Sequence, residues 1–110
     1  MSTGQYTLTK RNELKTFLTN SNHTIVKISA TWCKPCIRAK PTFDMYYERL
    51  KEYVNLILVD MDKGSDICSS LKVKSVPIYI YYKNRDPIEI FNSSSDDDIK
   101  YFFIKVAENL

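Results

Sequence analysis

Glycine is almost absent from this chain, at two residues in 110, and there are only four prolines. Counts this low exclude a collagen-like or low-complexity disordered chain. No apolar run approaches the ~20 residues that a membrane-spanning helix needs. Met1 to Asn12 are polar and lack the apolar core of a secretory signal. A cytoplasmic protein with no membrane partner is therefore expected. Neither sign of charge dominates: 16 basic residues face 13 acidic ones, for a net charge of +3. The two signs are interleaved and form no long cationic run, which argues against nucleic acid as a partner. Three cysteines are an odd count that fits no disulfide framework. They suggest one functional pair and one structural thiol. Repeats and linkers are also missing, so residues 1–110 read as a single domain, long enough to bury a core without staples. A monomer is expected.

What is present alternates between helical and extended patterns. Thr9 is placed to cap a short helix with Leu14, Phe17 and Leu18 on one face. Thr24 to Ala30 reads as a strand with β-branched bulk from Ile25, Val26 and Ile28. A helical segment runs from about Lys34 to Tyr53, its apolar residues at helical spacing and Pro41 inside it as a kink. Leu56 to Met61 is a second strand. Ser65 is placed to cap a short helix carrying Ile67, Cys68 and Leu71. Val76 to Tyr82 and Pro87 to Phe91 are strands joined by a short turn, hence an antiparallel hairpin. Ser95 caps the last helix, with Asp98 at its third position, and Asp96 to Asp98 set negative charge on the positive end of the helix dipole. With Gln5 to Leu8 as a weak first strand, the order predicts an α/β fold: a mixed sheet of about four to five strands with about four helices on its faces.

The segment Trp32-Cys33-Lys34-Pro35-Cys36 follows a predicted strand and opens a predicted helix. Free backbone N–H groups and the dipole at a helix N-terminus stabilise an anion, so a thiol there ionises more easily. Cys33 receives most of that effect and is the expected attacking thiolate. Cys36, one turn in, is the expected resolving thiol that attacks a mixed disulfide. Pro35 sits where its missing N–H does no harm, and Trp32 offers an apolar surface to a polypeptide. The same spacing serves as half of a zinc site. Its other ligands would have to come from Cys68, His23 and scattered carboxylates, so no metal and no cofactor is expected.

These residues, taken in register, resemble the thioredoxin family from Gln5 to the C-terminus. The family's active site reads Trp-Cys-Gly-Pro-Cys, against Trp32 to Cys36 here. Its helix-kinking proline falls on Pro41, and its cis-proline on Pro77 of Ser75-Val76-Pro77-Ile78, at the family's interval from Cys36. Val59-Asp60-Met61-Asp62 fits the end of its central strand. The resemblance implies a thioredoxin fold and a Cys33–Cys36 redox disulfide that exchanges with protein disulfides through a mixed disulfide. It also implies a thioredoxin reductase or a sulfhydryl oxidase as redox partner. Trp32, Pro35, Val76, Pro77, Ile78 and Asn92 would frame the substrate, with the Val76 backbone pairing to an extended segment.

The chain departs from the family at several of these places. The family's buried aspartate falls on Lys27, and its usual lysine partner on Leu58. Lys27 must either reach water or act as an amine of lowered pKa near Cys36. Lys34 replaces a glycine; a cation beside Cys33 stabilises its thiolate and makes the couple more oxidising. Asn92 stands for a groove glycine, Arg85 for a turn glycine and Ile78 for a threonine. Cys68 reads as a small buried hydrophobe, with a regulatory role as the alternative, and His23 as a surface histidine. A different class of function stays open beside the enzyme: a binding module that holds a partner in the Pro77 groove without turnover.

Overall fold

In the computed structural model, residues 3–110 are described, and Met1 and Ser2, part of the polar N-terminal stretch, lie outside them. Five strands, β1 (Gln5–Thr7), β2 (His23–Ser29), β3 (Asn55–Asp60), β4 (Ile78–Lys83) and β5 (Asp86–Phe91), alternate with α1 (Arg11–Thr19), α2 (Lys34–Leu50), α3 (Ser65–Leu71) and α4 (Asp96–Glu108). The sheet order is β1-β3-β2-β4-β5. β3 runs parallel to β1 and β2, while β2–β4 and β4–β5 are antiparallel. The expected fold class is therefore observed, with five strands and four helices.

Alternation along β2 sorts the two cores. Ile25 joins Phe43, Tyr47, Tyr79, Phe102 and Val106 under α2 and α4. Val26 and Ile28 join Leu14, Leu18, Ile67 and Cys68 under α1 and α3. Each large apolar side chain buried this way contributes about 1.5–3 kcal/mol. Pro41 lies inside α2, where one intrahelical bond has no donor. Ser95 caps α4 as expected, its hydroxyl accepting from the Asp98 N–H at 3.3 Å.

Four local expectations differ from the structure. α1 is capped one residue later than Thr9, at Lys10. Glu13 accepts from the Thr9 and Lys10 N–H groups, and Asp66 on α3 accepts from that of Arg11, so no hydroxyl cap is needed. The cap of α3 is Gly64 rather than Ser65. A Cβ at Gly64 would meet Val59 Cγ1 at 2.6 Å and the Asp60 carbonyl at 2.8 Å, so the tight turn after β3 admits only glycine there. β4 begins at Ile78, because Val76 and Pro77 precede it across a cis bond. His23 is no free surface histidine: it opens β2, half-buried, with Nδ1 2.7 Å from the Tyr81 hydroxyl. Burial, aided by Lys83, holds its pKa below the ordinary value.

Candidate active site

β2 ends at Ser29, and the chain turns through Trp32 into α2, with Cys33 as the N-cap. Cys33 and Cys36 form a disulfide, with Cα atoms 5.2 Å apart. The Cys36 N–H donates to Cys33 Sγ at 3.2 Å. That bond is the helix N-terminus acting on sulfur: a free first-turn donor aimed at the sulfur expected to be the attacking thiolate. Both cysteines are buried, at 4% and 6% exposure, and pack with Ala30, Met61 and Val76. The Lys34 and Pro35 side chains lie at the surface beside them.

The second wall is the segment before β4. Val76–Pro77 is cis, Pro77 is buried, and the Val76 carbonyl lies 3.9 Å from Cys33 Sγ. Trp32 is 62% exposed, yet its indole N–H donates to Asp62 at 2.9 Å, which fixes the ring beside the disulfide. Asn92, at the end of β5, bonds to both Ser75 and Pro77. Cys33, Cys36, Trp32, Val76, Pro77 and Asn92 are thus brought together. Ile78 is directed elsewhere, into the core cluster under α1 and α3.

Lys27 does not extend into water. It is 7% exposed, on the α2 face of β2, with Nζ 4.7 Å from the centre of the Phe43 ring. Burial pushes its pKa down; Asp44 opposes that and Lys40 adds to it. Lys27 and Cys36 line one cavity of about 240 Å³, together with Ser29, Lys40 and Asp60. Cys68 is buried under α3, and burial with Asp60 and Asp62 raises its pKa. Among the described residues no group of His, Cys, Asp and Glu is arranged to hold a metal ion.

Sequence reasoning missed three contributors. Asp62 holds Trp32. Asp60 accepts from the N–H groups of Asp62 and Lys63, which shapes the turn that presents Asp62. Ser75 anchors Asn92. The only signal for the two aspartates was their place in the segment that ends the central strand, and Ser75 was marked only as the first residue of the segment around Pro77, with no role.

The thioredoxin family's sequence model matches residues 5–105. Thioredoxin-1 of Caenorhabditis elegans is 35% identical over 88 residues, covering 78% of this chain and 71% of that protein. Thioredoxin of Ophiophagus hannah is 33% identical over 76 residues, 69% of this chain and 71% of its own. The solution structure of oxidised thioredoxin from Plasmodium falciparum superposes with a TM-score of 0.80 at 24% identity, over 93% of this chain and 97% of that one.

Proposed function

This chain belongs to the thioredoxin family and is a disulfide oxidoreductase with a Cys33–Cys36 pair; we propose that it exchanges electrons with disulfides of protein substrates in the cytoplasm. The observation that carries this reading is the disulfide at the start of α2, with the Cys36 N–H aimed at Cys33 Sγ. In the reductive direction the Cys33 thiolate attacks a substrate sulfur. The substrate S–S bond breaks, one substrate thiolate leaves, and a mixed disulfide joins Cys33 to the other half. Cys36 then loses its proton, to the unprotonated fraction of the Lys27 amine that lines the same cavity, and its thiolate attacks the Cys33 sulfur. The Cys33–Cys36 disulfide forms and the second substrate thiolate departs, so two electrons have passed to the substrate. A thioredoxin reductase restores the dithiol; a sulfhydryl oxidase would drive the reverse direction.

Cys36→Ser tests the reading. The variant is expected to accumulate mixed disulfides with protein substrates, seen as adducts on non-reducing gels that collapse with added thiol. Partner binding without any covalent adduct would instead indicate a binding module and overturn the exchange reading.

Lys34 makes the couple more oxidising than a thioredoxin with glycine there, because its charge favours the Cys33 thiolate and hence the reduced form. An exposed pair of opposite charges of this kind contributes about 0.2–1 kcal/mol. At 30 mV per ~1.4 kcal/mol, Lys34→Gly should lower the reduction potential by roughly 4–20 mV. Equilibration in glutathione buffers reads this directly, and an unchanged or raised potential would refute it.

A further inference from the structure

Asn92 is exposed, yet both ends of its amide are occupied. Its Oδ1 accepts from Ser75 Oγ at 2.7 Å, and its Nδ2 donates to the Pro77 carbonyl at 2.8 Å and to the Ser75 carbonyl at 3.5 Å. All three bonds go to the two neighbours of Val76, whose carbonyl faces Cys33 Sγ. The segment from Lys74 to Pro77 lies between α3 and β4 and belongs to neither. Among the described residues, the loop's other backbone bonds lie at its start, from Lys72 to Ser69 and from Val73 to Cys68. The Asn92 amide therefore hydrogen-bonds this loop to the end of the sheet, beside the packing of Val76 against the disulfide.

We infer that Asn92 is a positioning residue: it holds the Val76 main chain beside the disulfide and so presets the edge against which an extended substrate pairs. The inference rests on the exchange reading above and names the side chain that fixes its recognition edge. A loop without this tether must be ordered when a polypeptide docks, and that ordering opposes binding. A small disulfide that needs only the Cys33 sulfur makes no such demand. The consequence is a split between substrates.

Turnover with dithiothreitol as reductant tests it, using two substrates: insulin as the polypeptide disulfide and an aromatic nitrobenzoate disulfide as the small one. Loss of two to three neutral hydrogen bonds corresponds to about a tenfold effect or somewhat more. Asn92→Gly is expected to raise KM for insulin about tenfold, with kcat within about twofold and the small disulfide nearly unaffected. Ser75→Ala should raise the same KM about threefold, and the double variant should be no worse than Asn92→Gly, because both changes break one network. Thermal unfolding of each variant reports whether the fold is retained. An unchanged or lower KM for insulin, an equal rise with both substrates, or additive effects would each overturn the inference. Failure of the unaltered protein to exchange with either disulfide would overturn the exchange reading itself, and this inference with it.

Discussion

Cys33→Ser is expected to abolish exchange with protein disulfides, a loss on the order of 10³-fold or more, because the thiolate is the nucleophile and a serine hydroxyl does not ionise at neutral pH. The other two thiols cannot take over. Cys36 lies one turn into α2, where its own N–H serves Cys33 rather than itself. Cys68 is buried under α3, and burial together with Asp60 and Asp62 raises its pKa, so little of it is thiolate. The variant should therefore form no adduct with substrate, in contrast to Cys36→Ser. The check is release of free thiol from a disulfide-bonded protein, run beside mass analysis for adducts. Residual exchange in Cys33→Ser near the starting rate would invert the assignment of attacking and resolving thiols.

The disulfide pair was legible because its information is local. The end of the strand before, the two cysteines with the proline between them, and the first turn of the helix after all lie within about a dozen residues. The sheet was legible for a similar reason: β2, β3 and β4 are short apolar runs, and Ser95 and Asp98 mark the start of α4 by a contact three residues long. What escaped sequence reasoning was made by tertiary partners. Thr9 is passed over as a cap because Asp66, 55 residues away from Arg11, supplies an acceptor. Ser65 loses the cap of α3 to Gly64, because the fold brings Val59 and Asp60 too close for a side chain there. His23 reads as a surface residue until β4 sets Tyr81 beside it. The grip of Asn92 on Ser75 and Pro77 links residues 15 and 17 positions apart across a loop that no periodicity describes.

Lys27 shows the same division. Its match to the family's buried aspartate left two readings, an amine that reaches water or one of lowered pKa near Cys36, and only the fold shows that the amine lies over Phe43 and shares a cavity with Cys36. Two measurements on Lys27→Met follow, one on stability and one on rate. With its pKa held below the ordinary 10.5, the folded chain binds fewer protons here than the unfolded chain does between the lowered value and 10.5. Unfolding takes up a proton in that interval, so stability rises with pH across it, and the penalty of the buried charge is present in full below it. Lys40 and Asp44 move the interval in opposite directions without removing it. Tyr79 and Tyr81, pushed up to about 12 by burial, act with the opposite sign and mainly above the interval: the stability they lend is lost as pH climbs from 10 towards 12. Urea unfolding across alkaline pH should thus show a rise below pH 10.5 in the unaltered protein that Lys27→Met lacks, the variant being the more stable of the two at neutral pH. Parallel profiles would mean that the amine titrates alike in the folded and the unfolded chain, as it would in water. The rate measurement isolates the proton transfer. Attack by Cys33, read from its alkylation rate, should be unchanged, while collapse of the mixed disulfide by Cys36 should slow by about 10²-fold in the pH range where the amine is unprotonated, the lower end of what a positioned base contributes. Equal collapse rates in the two proteins would remove Lys27 from the chemistry and leave Cys36 to lose its proton to solvent.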